Sequence, residues 1–184
     1  MLKLYGGARS RASLVRWYLE EIGAPYEFVL LDMAAGEHRQ PEYLALNPFG
    51  KVPALVDGDL SLWESGALLL YIGEQYGDLT STRARAIAAQ WVLFANASLG
   101  PGIFVEANRE KEMPRLLGTL DALLSDRPYL LGETFSVSDV AVGSYLAYIP
   151  MFFPTLDLSP WPQVQAYIRR LTERPAYTRT IGAR

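Results

Sequence analysis

The chain contains no cysteine. That absence excludes disulfides, thiolate-held iron–sulfur clusters, a cysteine nucleophile and a paired-cysteine redox motif, and it fits a reducing compartment. A single histidine, His38, excludes a metal site built from several imidazoles, so no metal is expected. With 17 Lys and Arg against 20 Asp and Glu, the formal charge is −3. No basic stripe stands out, and no nucleic-acid partner is expected. The nearest thing is a local cluster of Arg9, Arg11 and Arg16 beside the first predicted helix. Met1-Leu2-Lys3-Leu4-Tyr5 lacks the layout of a secretory signal. No apolar run reads as the roughly 20 residues that a membrane span takes. The longest, over 137–153, is broken by Ser138-Asp139 and Pro150. The expectation is a cytoplasmic protein with no membrane partner.

What is present is apolar surface. Half of the 184 residues are hydrophobic, enough for one large domain or two small ones. Leu2-Lys3-Leu4-Tyr5 alternates as a strand does, and Gly6-Gly7 ends it. From Ser10, the residues Val15, Tyr18, Leu19 and Ile22 fall on one helical face, which Gly23 and Pro25 stop. Residues 26–31 read as a second strand. A polar loop over 32–40 follows, then a short helix led by Pro41 over 41–46. Two short apolar strands meet at Asp57-Gly58, a turn dipeptide. A helix over 65–76 takes Ser65 as its N-cap.

Residues 1–77 therefore read as β-α-β-α-β-β-α. The βαβ unit should be right-handed and parallel, the hairpin antiparallel, and the natural closure is a mixed four-stranded sheet carrying helices. Beyond a polar linker the pattern changes. Residues 83–184 give almost no strand signal. Helices are predicted over 83–108, with a bend at Gly100-Pro101-Gly102, over 114–124, from Ser136, and from Trp161-Pro162 to about 171. Ser136 and Asp139 have the spacing of a reciprocal capping pair, with Asp in place of the usual Glu or Gln. The fold class is thus α/β plus all-α: a mixed-sheet domain over 1–77 and a helical bundle over 83–184.

Asn47-Pro48-Phe49-Gly50-Lys51-Val52-Pro53 and Trp63-Glu64-Ser65-Gly66 organise the first half. Together they offer a main-chain edge, helix-start amides and a carboxylate to one extended peptide-like ligand. With residues 5–16, Gly36-Glu37-His38 and 134–140, in this order, they resemble the cytosolic glutathione transferases. Loop and hairpin are most similar to the phi and theta classes, and Gly6-Gly7-Ala8-Arg9-Ser10-Arg11-Ala12-Ser13 to the cyanobacterial chi class.

The resemblance implies a thioredoxin-like domain followed by a helical domain, glutathione as co-substrate, a hydrophobic electrophile as second substrate, and a homodimer. It implies a cis Pro53 and a Val52 backbone that pairs with the cysteinyl part of glutathione. Glu64 and Ser65 would hold the γ-glutamyl end, and His38, Arg39 and Lys51 the glycine carboxylate. As a plain sequence, each has a bland counterpart: a trans proline at a strand start, a capped helix, an ordinary polar loop.

Glutathione would bring the thiol that the chain lacks. A thiol with a pKa near 8.5 is only a few per cent thiolate at pH 7. Lowering it by about two units takes about 2.7 kcal/mol of preferential stabilisation. Ser10 or Arg11, at the start of the first helix, is the expected donor. Ser10 could equally be an N-cap and Arg11 a solvated arginine. Tyr5 and Arg9 are the outside candidates. The implied activity is a detoxifying transferase acting on aryl or alkyl halides or isothiocyanates. A glutathione-dependent peroxidase and a non-catalytic glutathione-binding or assembly module are the alternatives.

Overall fold

The structure, a computed structural model, describes residues 1–183. The first half runs β1 (Leu2–Gly6), α1 (Ala12–Ile22), β2 (Tyr26–Leu30), a short 3₁₀ turn (Glu37–Arg39), α2 (Pro41–Leu44), β3 (Ala54–Asp57), β4 (Leu60–Trp63) and α3 (Ser65–Gln75). The strand order is β2-β1-β3-β4. β1 pairs with β2 in parallel, while β1–β3 and β3–β4 are antiparallel. This is the mixed four-stranded sheet that the alternation of strand and helix signals predicts, in the thioredoxin-like arrangement that the resemblance implies. β1 is central because Leu2 and Leu4 are both buried and the α1 crossover carries β2 back alongside it. The last pair of the hairpin is Asp57 with Leu60, so the loop is Gly58-Asp59. Asp57 then accepts hydrogen bonds from Tyr71 (2.8 Å) and Tyr76 (2.5 Å), which tie the hairpin to α3. Those two hydroxyls, Tyr76 first, hold the Asp57 carboxyl below its ordinary range.

The start of α3 departs from the sequence reading. Ser65 is its first helical residue, not its cap. Glu64 takes the cap position with φ 71° and ψ 115°, and its side chain makes no capping bond. Ser65 itself is buried, 3% exposed.

The second half contains α4 (Thr82–Phe94), a π-turn (Ala95–Leu99), α5 (Gly100–Phe104), α6 (Glu106–Leu123), α7 (Val137–Phe152), α8 (Pro162–Thr172) and α9 (Pro175–Arg179). Three expectations are corrected here. The first helix ends short of the expected residue 108: the chain is helical from Thr82 to Phe104, with a π-turn just before Gly100-Pro101-Gly102, and the break falls at Val105, which is extended. α6 starts at Glu106 and carries Pro114 inside it, so Pro114 does not open it. The 82–104 helix is also long and apolar enough to cross a membrane by length and composition, contrary to the absence of such a run in the sequence reading. In the fold it packs on α3 and α7.

Ser136 and Asp139 form the expected capping box at the start of α7. The buried Asp139 carboxylate accepts from Ser136 N (2.8 Å), Ser136 Oγ (2.9 Å), Leu130 N (2.9 Å) and Tyr167 Oη (2.7 Å).

The two halves share one apolar core. α1 packs on β1 and α3 on one side and on α7 and α9 on the other. Trp17, fully buried, meets Tyr177 edge-on at 5.2 Å and Phe135 at 5.7 Å. Arg174 clasps Glu21 through both carboxylate oxygens at 2.7 Å, and Trp17 Nε1 donates to the same carboxylate at 2.8 Å.

Candidate functional site

Strand register gathers the predicted residues. Ala54 stands opposite Tyr5 on one side and Trp63 on the other. One edge of the sheet thus carries Gly6, which leads into Ser10 and Arg11; Pro53, which precedes Ala54; and Glu64, which follows Trp63. The Val52–Pro53 peptide is cis. Among the described residues, Val52 makes no main-chain hydrogen bond. Its neighbour Lys51 is held in place because its carbonyl accepts from Tyr43 Oη and Asn47 Nδ2, both at 2.6 Å. Burial pushes the Tyr43 phenol up to about 12, so it stays a donor across the physiological range.

His38 and Arg39 lie in the 3₁₀ turn, which the 47–51 loop approaches closely. A Cβ on Gly50 would stand 3.1 Å from the His38 carbonyl. His38 Nδ1 is enclosed and has no hydrogen-bond partner among the described residues. Arg39 and Lys51 are exposed.

The start of α1 separates Ser10 from Arg11. Ser10 Oγ donates to the Gly7 carbonyl (3.0 Å) and accepts from Ala12 N (3.3 Å), so its one proton is engaged within the turn. The Arg11 guanidinium reaches across to the helical half. Its Nη2 donates to Asn96 Oδ1 and to the Tyr145 hydroxyl, and the guanidinium carbon lies 5.4 Å from the Tyr145 ring centroid. Tyr145 Oη donates to the same Asn96 Oδ1 at 3.0 Å, while Asn96 Nδ2 donates to the Val92 carbonyl at 2.9 Å. Burial raises the Tyr145 phenol, an effect that the adjacent Arg11 charge opposes. One turn on, Ser13 Oγ and Tyr148 Oη are 3.1 Å apart.

Asn96, Tyr145, Tyr148 and Ser13 are the residues that sequence reasoning missed. None of the four lies in a motif that the sequence marks as a site for ligand or catalysis, apart from Ser13 at the end of the 6–13 stretch. Two signals pointed to them: a proline between glycines late in an apolar helix, and Tyr145, Tyr148 and Phe152 at helical spacing on one face of α7. That face ends in an aromatic wall. Phe152 is 64% exposed and packs edge-on against Tyr148 (6.2 Å) and Phe104 (5.6 Å).

The outside candidates sit elsewhere. Tyr5 packs its ring on Tyr43 at 6.1 Å, and Arg9 lines a groove with Met33 and Glu37 on the β2 side. Among the described residues, no three His, Asp or Glu side chains gather as a metal site would require.

Chemically, the edge offers an unpaired peptide group, an acid and a helix start, groups that suit an extended peptide-like ligand. Comparison with known proteins agrees. Residues 1–74 match the glutathione S-transferase N-terminal domain, and residues 104–170 the C-terminal domain. The chain is 33% identical to glutathione S-transferase GstB of Escherichia coli K12, over 98% of each protein. It is 30% identical to the disulfide-bond oxidoreductase YfcG of the same organism, over 96% of this chain and 92% of that protein. A crystal structure of a glutathione transferase from Burkholderia graminis, with two glutathione molecules bound per subunit, superposes with a TM-score of 0.83 at 30% identity, covering 99% of this chain and 88% of that one. Sheet topology, cis Val52–Pro53 and similarity along the whole length converge: the chain belongs to the glutathione S-transferase family.

Proposed function

We propose that this glutathione transferase binds glutathione along the sheet edge, ionises its thiol at the start of α1, and adds the thiolate to a hydrophobic, flat electrophile. The observation that carries this reading is the convergence of α1's start, Val52 and Glu64-Ser65 on one edge. The free main-chain groups of Val52 suit the cysteinyl unit. The Ser65 amide and hydroxyl suit the γ-glutamyl carboxylate, and Glu64 the ammonium. His38, Arg39 and Lys51 suit the glycine carboxylate.

Of the two candidates for the sulfur, Arg11 is the better placed. Ser10 has spent its proton on Gly7, whereas the cationic guanidinium of Arg11 leaves Nε and Nη1 uncommitted among the described residues. In the reaction the thiol proton leaves to solvent and the thiolate attacks the electrophilic carbon. A halide departs, or the nitrogen of an isothiocyanate takes up a proton. Tyr148, Phe104 and Phe152 supply an aromatic surface for the electrophile beside Ser13 and Arg11.

The finer assignments rest on motif similarity and are part of the proposal. They are a phi- or theta-like lineage with a chi-like start, domain limits of 1–77 and 83–184, a cytoplasmic location and a homodimer. The exposed Phe49–Trp63 edge-on pair, with Phe49 65% exposed, supports a self-association face.

Retention on immobilised glutathione, with conjugation assays on aryl halides, alkyl halides and isothiocyanates, tests the function. Retention with turnover is expected. Neither would overturn the reading, and retention without turnover would favour a binding module. The peroxidase alternative adds one assay: reduction of an organic peroxide to its alcohol and water, with two glutathiones oxidised to their disulfide.

A further inference from the structure

Resting on the reading of Arg11 as the thiolate's partner, we propose that Asn96 is a positioning residue. Carried by the π-turn of the 82–104 helix, it holds the Arg11 guanidinium and the Tyr145 hydroxyl in the orientation that serves the sulfur.

The chain of causes starts at Pro101. A proline has no N–H for the carbonyl four residues back, and its ring collides with that carbonyl. The helix avoids the collision by widening into a π-turn over Ala95–Leu99. One added residue in a turn swings the two flanking faces by about 100° relative to each other. As a result, Asn96 within the π-turn and Gly100 directly after it both confront Tyr145. A Cβ on Gly100 would stand 2.7 Å from the Tyr145 ring, so only glycine lets the phenol lie this close. On its other side, Asn96 abuts the start of α3, where a Cβ on Gly66 would meet Asn96 Nδ2 at 2.9 Å. Asn96 is therefore wedged between the γ-glutamyl edge and the thiolate donor.

Its amide is fixed by donation to Val92 O, which turns Oδ1 toward Arg11. Oδ1 and the Tyr145 hydroxyl both accept from the same guanidinium nitrogen, so neither consumes Nε or Nη1. An unheld arginine here would swing into solvent, since its charge opposes the positive end of α1 and the chain carries roughly 2 kcal/mol of rotamer entropy. A neutral acceptor holds the cation without cancelling its field; a carboxylate at the same place would cancel it.

The test is the pH at which bound glutathione becomes a thiolate, followed by its ultraviolet absorbance, in wild type, Asn96→Ala, Arg11→Ala and the double variant. Affinity for S-methylglutathione, which has no ionisable thiol, is the parallel readout. Asn96→Ala and Arg11→Ala should each raise the ionisation midpoint by about one pH unit, equivalent to about a tenfold loss of thiolate below it. The double variant should go little further, and S-methylglutathione should bind each within about twofold of wild type. Should Asn96→Ala fold poorly, near-isosteric Asn96→Asp should raise the midpoint at least as far. An unmoved midpoint in the Asn96 variants overturns the proposal. So does an unmoved midpoint in Arg11→Ala, or fully additive shifts. Failure of wild type to bind glutathione would show itself separately and would take the functional reading down as well.

Discussion

Replacing Glu64 by glycine should make the protein more stable and a poorer binder of glutathione. Glu64 is the only non-glycine residue among those described with positive φ, at 71° with ψ 115°. A side chain in such a region costs on the order of 1–3 kcal/mol. Glycine removes that cost but gives the unfolded chain about 0.5–1 kcal/mol of extra freedom. The net expected gain is about 1 kcal/mol, or roughly 2–4 °C in Tm for a chain of this size. The same change deletes the carboxylate proposed to meet the glutathione ammonium. A charged hydrogen bond is worth about 1.5–3 kcal/mol, so affinity should fall roughly 10- to 100-fold. Glu64→Gln separates the two effects, because it keeps the backbone burden and loses the charge. It should bind weakly with no gain in stability. Urea unfolding and calorimetric titration with glutathione measure both quantities. A glycine variant no more stable than the glutamine variant would refute the strain argument. Undiminished affinity in both would remove Glu64 from the site.

Three further outcomes are expected. Asp139→Ala leaves Leu130 N, Ser136 N and the Tyr167 hydroxyl without their buried acceptor and should cost roughly 3–5 kcal/mol in urea unfolding; Tyr167→Phe, which leaves Asp139 three donors, should cost only about 1 kcal/mol. Asp57 is more acidic folded than unfolded, so its contribution to stability is present above its ordinary value of 3.8 and is lost as pH falls through the lower folded value. Asp57→Asn should accordingly flatten the acid limb of the stability–pH curve. Phe152→Ala should raise KM for aromatic electrophiles severalfold while leaving KM for glutathione unchanged, as steady-state kinetics with each substrate varied would show.

The sheet, the order of elements in the first half and the capping of α7 were legible because each is encoded locally: alternation in Leu2-Lys3-Leu4-Tyr5, a turn dipeptide at Asp57-Gly58, the Ser136/Asp139 spacing. What escaped was set by tertiary packing. Gly100-Pro101-Gly102 reads as a bend in isolation, with no sign that the turn before it would widen. The 82–104 helix survives it because packing on α3 and α7 holds both sides of a widened turn. Ser65 has a cap's chemistry, but the hairpin end forces the cap position onto Glu64. The sheet-edge residues were nameable because they lie in contiguous motifs. Asn96 and Tyr145 were not, because they meet Arg11 across 85 and 134 residues of sequence. Nothing short-range ties an asparagine in one helix to an arginine before another.

The Glu21–Arg174 clasp has a mechanical meaning. It grips α1 ten residues beyond Arg11, about 15 Å along a rigid rod. Arg11's own partners hang from the 82–104 helix and α7. The helical half therefore grasps α1 at both ends, as two hands hold a shaft, and the guanidinium's aim is set by how the whole bundle is seated. Loosening the far grip, with Arg11, Asn96 and Tyr145 untouched, would misalign the donor as surely as cutting the near one.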